Sequence, residues 1–179
     1  MRRFRIFGRK TPILPQSECS EQTGLRGKTL GKCFFVQKAL SGASEKDWGN
    51  SKMISIAICD DEAVFAEALH ALVDAGMKEI LYGENSMDER ELSYEITVFT
   101  NPLMMIDALK TKRFDLAFLD LLMNKESGFG VAQEIRRMRL NTEIAIVTSY
   151  GEARNDAFQY RPIGYVDKPA TIEEVTRLL

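Results

Sequence analysis

The amino-acid sequence predicts an α/β protein built on a doubly wound, five-stranded parallel sheet, and three observations carry that expectation. From Met53 onward, strand-length apolar runs alternate with segments of helical period; most of the runs are apolar throughout; and most end on a charged or hydroxyl side chain. Continuous apolar strands separated by helices imply a sheet covered on both faces through right-handed crossovers.

Taken in order, Met53-Ile-Ser-Ile-Ala-Ile-Cys59 is the first strand, closed by Asp60-Asp61. Val64, Phe65, Ala68, Leu69, Leu72 and Val73 then recur at helical spacing up to a predicted stop at Gly76. After a polar stretch, Tyr94 to Phe99 alternates as the second strand, and Asn101-Pro102 opens a helix to about Lys112. Asp115-Leu-Ala-Phe-Leu119 is the third strand, ended by Asp120. A loop through Gly128 leads to an amphipathic helix from Val131 to Arg139, and Glu143 to Val147 is the fourth strand. A short helix near Ala153 to Phe158, a fifth strand from Ile163 to Val166 and a helical start at Thr171 complete the βα series.

The charges divide the chain. Residues 1–52 hold 11 basic and 4 acidic side chains, a balance of +7, whereas residues 53–179 hold 13 basic and 22 acidic, a balance of −9. The first part has little periodicity and one compact apolar patch, Cys33-Phe34-Phe35-Val36, so it reads as a basic, disordered or poorly packed arm. Its cations are too dispersed for a nucleic-acid-binding tail. Glu45 to Gly49 must be encoded by purine-rich codons just ahead of Met53, where a bacterial ribosome-binding site would lie, so Met53 is expected to be the natural start. Cys19, Cys33 and Cys59 show no metal or disulfide spacing and fit a reduced, cytoplasmic compartment. No apolar run approaches the ~20 residues of a membrane span.

In a doubly wound sheet the side chains just beyond the carboxyl ends of the strands share one crevice. Here those are Asp60 and Asp61, Asp120, Thr148 with Ser149, and Lys168. Singly, each has an ordinary reading as a helix cap, turn residue or solvated cation. Jointly they form a group that needs a reason. Neighbouring carboxylates raise one another's pKa unless a cation neutralises them, and oxygen ligands favour Mg²⁺. A metal on one side with an ammonium and a hydroxyl on the other suits a phosphoryl group, with Asp120 as the nucleophile.

The sequence from Met53 onward resembles the receiver domains of bacterial two-component response regulators. It carries Ile58-Cys-Asp-Asp-Glu62, Phe118-Leu-Asp-Leu-Leu-Met123 with Gly128 following, Ile146-Val-Thr-Ser149 and Tyr165-Val-Asp-Lys-Pro169, in that order. The resemblance implies a flavodoxin-like (CheY-like) sheet of strand order 2-1-3-4-5, with Asp120 taking phosphate from a sensor histidine kinase. It implies that Asp61, Asp120 and the backbone carbonyl of Leu122 ligate Mg²⁺, with Asp60 acting mainly through water. Thr148 and Lys168 would contact the phosphoryl group, and Thr148 and Tyr165 would switch. The wording from Ala157 to Pro169 is closest to receivers that precede a LytTR-type DNA-binding domain. On that resemblance the output is transcriptional, through an effector domain absent from this chain, with homodimerisation on phosphorylation compatible and no separate enzymatic substrate.

Three features depart from the family pattern. Asn124 stands where a proline is usual; Met77 to Glu91 lengthens the first helix-to-strand connection; and only nine residues, Thr171 to Leu179, supply the last helix, which looks unfinished. Two other function classes compete. A haloacid-dehalogenase-like phosphohydrolase needs a second acid two residues after the nucleophile, where this chain has Leu122. A pure interaction module has no need of the acidic pair, Thr148 and Lys168. His70 reads as a surface or packed residue, and Arg136, Arg137 and Arg139 as a solvated helix face.

Overall fold

A computed structural model describes residues 35–36, 52–83, 92–123, 128–149, 151 and 154–179. Five parallel strands form one sheet of order β2-β1-β3-β4-β5: β1 (Lys52–Cys59), β2 (Leu92–Phe99), β3 (Leu116–Leu119), β4 (Glu143–Thr148) and β5 (Gly164–Asp167). Between them run α1 (Ala63–Tyr82), α2 (Pro102–Leu109), α3 (Gly128–Arg137) and α4 (Arg154–Ala157), the last extended by a 3₁₀ turn at Phe158–Tyr160. The chain then closes with α5 (Ile172–Leu178). The predicted fold class, strand number and order are all present.

Alternate residues of the strands divide between two apolar layers, as a period of two requires. Ile54, Ile56 and Ile58 of β1, with Leu116 and Phe118 of β3, pack on Leu69, Val73 and Met77 of α1 and on Val175 of α5. Ala57, Cys59, Ala117 and Leu119 face the other way, toward Met105 and Leu109 of α2 and Val131, Ala132 and Ile135 of α3. Every residue of β3 is buried, which fixes the register around Asp120 at its end.

The helix ends follow local chemistry. Asn101 caps α2 by accepting the Leu103 N–H at 2.8 Å, with Pro102 in the first turn. Thr171 and Glu174 form a reciprocal capping box on α5. The strands β1 and β2 each begin earlier than their apolar pattern suggests, because they pair from Lys52 and Leu92 onward.

Two expectations need correction. Gly76 does not stop α1, which continues to Tyr82. It is buried where α5 crosses, and a Cβ there would lie 2.8 Å from Leu179 Cδ1 and 3.1 Å from Thr176 Oγ1. The glycine makes room for a neighbouring helix, and the long first connection is partly helical. Arg136 is not on a solvated face: its guanidinium donates to the carbonyls of Tyr160 (2.8 Å) and Thr142 (2.9 Å), tying α3 to the turn before β5. From the basic arm, Phe35 and Val36 are described, and both are buried in the layer beside α1 and α5. The rest of residues 1–51 lies outside the described residues, as does Asn124.

Candidate functional site

Four strands deliver the site. The Asp60 N–H bonds to the Phe99 carbonyl (3.0 Å) and the Asp120 N–H to the Cys59 carbonyl (3.0 Å), so the last rungs of the sheet place both carboxylates at one edge. Asp60, Asp61 and Asp120 each present an oxygen within 4.8 Å of the others. Asp60 and Asp120 are 2% and 3% exposed, and Asp61 is half-buried. Lys168, at the end of β5, reaches across to them: its Nζ lies 2.6 Å from Asp60 Oδ2 and 2.7 Å from Asp120 Oδ2. Its own N–H bonds to the Thr148 carbonyl at 3.2 Å, which joins the fourth strand to the group.

The free oxygens are also oriented. Asp60 Oδ1 accepts the Glu62 N–H at 3.0 Å, and Asp120 Oδ1 accepts the Leu122 N–H at 3.1 Å. Both are turns in which a carboxylate binds the backbone two residues on. Leu122 therefore holds the acceptor through its amide, in addition to the carbonyl role expected of it.

Burial pushes the Asp60 carboxyl above the usual range, against the opposing hydrogen bonds from Lys168 and the Glu62 amide. Burial alone would depress Lys168, but its hydrogen bonds to Asp120 and Asp60 outweigh that and raise it. The ammonium is thus firmly charged. Three formal carboxylates against one ammonium leave the group short of positive charge, and an all-oxygen donor set of this kind fits a hard divalent cation. Cys59 does not join it: burial, then the charges of Asp60, Asp61 and Asp120, push its thiol up to about 12. Its Sγ faces the Met123 sulfur at 3.9 Å.

Among the sequence candidates, Asp60, Asp61, Asp120 and Lys168 converge, and Leu122 and Thr148 adjoin them. Tyr165 is half-buried on β5, its ring 5.7 Å from that of Phe158. One participant was not legible. Phe65 of α1 places its ring 4.7 Å from the Lys168 ammonium, a cation–π contact that its helical spacing disguised as core packing. Gly128, already part of the motif, matters through space: a Cβ there would run into the Asp120 carbonyl oxygen.

Comparisons with known proteins bear on the family and the fold. The family model described as the response regulator receiver domain matches residues 56–179. The sensory transduction protein LytR of Staphylococcus haemolyticus is 30% identical over 118 residues, covering 66% of this chain and 41% of that protein. The sensory transduction protein LytT of Bacillus subtilis is 24% identical over 127 residues, covering 71% and 47%. The chain therefore spans less than half the length of these relatives. Among solved structures, a DNA-binding response regulator of the LuxR family from Staphylococcus aureus superposes with a TM-score of 0.55 at 23% identity, covering 70% of this chain and 94% of that one. A receiver domain protein from Methanospirillum hungatei gives 0.51 at 17%, covering 69% and 88%.

Proposed function

Because the chain belongs to the response regulator receiver domain family, we propose that it takes a phosphoryl group from a sensor histidine kinase onto Asp120 and passes that event to an output surface around β4 and β5. The observation that carries this reading is the meeting of Asp60, Asp61 and Asp120 with Lys168 at the ends of separate strands.

In the transfer, an Asp120 carboxylate oxygen bonds to phosphorus as the bond to the phosphohistidine nitrogen breaks. The nitrogen leaves with its electron pair and is protonated by solvent. The Leu122 amide fixes the attacking carboxylate, a positioning effect. Lys168 shifts from Asp120 Oδ2 to the oxygens of the incoming group, where its charge offsets the charge that develops. The Thr148 hydroxyl supplies a donor from the fourth strand. Asp61, Asp120 and the Leu122 carbonyl are the residues that would hold Mg²⁺, with Asp60 mainly through water; bound there, it supplies the positive charge that lets two anions meet. The chemistry is self-directed, so the chain acts as a signalling module without a separate substrate.

Phosphorylation gives the Asp120 side chain roughly −1.5 to −2 charges and further acceptor oxygens. Thr148 is drawn toward them, and Tyr165 turns inward into the room this leaves. Tyr165 lies against Phe158, so its movement reshapes the face made by α4 and β5. The relatives' greater length supports an output through further sequence. We read that output as transcription control in the cytoplasm through a LytTR-type DNA-binding domain, with homodimerisation on phosphorylation. Among the described residues no helix is long and apolar enough to cross a membrane.

Incubating the chain with Mg²⁺ and a small-molecule phosphodonor is expected to yield acid-labile phosphate on the native protein and none on Asp120→Asn. Equal labelling of the two would refute the assignment.

A further inference from the structure

The ammonium at the centre of the acidic group also has an apolar side. Lys168 Nζ pairs with Asp60 Oδ2 and Asp120 Oδ2. Its third neighbour among the described residues is the ring of Phe65, whose centroid lies 4.7 Å away. A cation this close is attracted by the negative face of the π system. Carboxylates and ring together leave the lysine side chain 5% exposed.

The fold sets this contact up. Phe65 stands in the first turn of α1, and Asp60 Oδ1 accepts the Glu62 N–H at the entry to that turn. One carboxylate therefore binds the ammonium with one oxygen and anchors the helix that carries the ring with the other. Four and eight residues further along α1, Leu69 and Val73 lie in the apolar layer against the sheet. Phe65 is half-buried at the start of the same helix face, where the stripe reaches the cation.

We propose that Phe65 is a positioning residue for Lys168: its ring walls the ammonium from water and keeps it in reach while it exchanges the Asp120 carboxylate for the phosphoryl group. This rests on the phosphoacceptor reading. A lysine ammonium carries three donors on a flexible stem. An acceptor on its third side would hold it by a directional bond, whereas a ring face attracts the charge and lets the donors turn. The gain is unequal between the two states. Coulomb attraction scales with the product of the charges and falls as the dielectric rises. A phosphoryl group brings roughly −1.5 to −2 charges in place of the single charge of a carboxylate. Water admitted beside the ammonium therefore costs the phosphorylated state more than the free one.

The test uses the full chain with Phe65→Leu, which keeps an apolar, helix-forming side chain without the π face, and Phe65→Tyr, which keeps the ring. With saturating Mg²⁺, Phe65→Leu is expected to bind beryllofluoride about three- to tenfold more weakly than the native chain, and Phe65→Tyr within about twofold of it. Binding of Mg²⁺ alone should stay within about twofold in both variants. In the native chain the Lys168 ε-methylene protons should give ring-shifted NMR signals, with beryllofluoride and without it. Native beryllofluoride affinity in Phe65→Leu, equal weakening in Phe65→Tyr, or a parallel loss of Mg²⁺ affinity would overturn the positioning role. So would an unshifted methylene in the native chain, a readout that needs no variant to fold. A native chain that binds no beryllofluoride while its methylene is still shifted would overturn the phosphoacceptor reading, and the proposal with it.

Discussion

Lys168 is the residue on which the acidic group depends, because its ammonium pairs with two buried carboxylates at once. It also occupies charge that a divalent cation would otherwise meet. Lys168→Met should therefore tighten Mg²⁺ binding on the order of tenfold, as removal of one nearby positive charge in a partly screened site implies, while weakening uptake of a beryllofluoride phosphate mimic. Isothermal titration of both ligands measures the two effects, and weaker Mg²⁺ binding in the variant would contradict the charge argument. Cys59 gives a second residue-level test. Burial and the neighbouring carboxylates push its thiol up to about 12, which leaves little of the reactive thiolate at pH 8. In a chain carrying Cys19→Ser and Cys33→Ser, a disulfide reagent should label Cys59 only after unfolding. Much of this was legible beforehand, since aspartates, hydroxyls and a lysine at strand ends are visible in a linear pattern. Phe65 was not, because a helical period cannot tell a ring that packs on a cation from one that packs on a leucine.

Among the elements, α3 begins against the backbone of the acceptor. Its first residue, Gly128, lies so close to the Asp120 backbone that any side chain must displace one or the other. Gly128→Ala is expected to cost about 3 kcal/mol in urea unfolding and to weaken Mg²⁺ binding in the protein that still folds. A fully native urea midpoint would show that the approach is less close than described. The same helix shows where sequence reading stops. Arg136 looked like one of three solvated arginines, but its partners, the carbonyls of Thr142 and Tyr160, belong to other segments. Gly76 misled for a related reason. A glycine that ends a helix and one that admits a crossing helix look alike until Leu179 is in place.

For the whole molecule, strand number, order and layering followed from continuous apolar runs alternating with helices, and were legible because burial on both faces leaves little room for other patterns. The burial of Phe35 and Val36 was not, since the layer they join is assembled from β1, α1 and the far end of the chain. Global stability should carry a pH signature from the α1 to β2 tie. Asp74 accepts from Lys78 at 2.8 Å and from the Tyr94 hydroxyl at 2.7 Å, and these hydrogen bonds hold its carboxyl below the usual range. A depressed carboxyl stabilises the fold above its unfolded value and loses that contribution as pH falls through the folded one. Asp74→Asn should therefore melt about 1–3 °C lower at pH 7 and equal the native chain in strong acid; a gap that persists there would contradict the linkage. A last consequence concerns β5. It is a four-residue edge strand bonded to a single neighbour, the natural place for the sheet to peel under load. Lys168 extends from its end to aspartates following β1 and β3, like a stay running from the rim to the hub. Signal chemistry and mechanical cohesion then share one ammonium, and whatever draws it off the carboxylates slackens the rim.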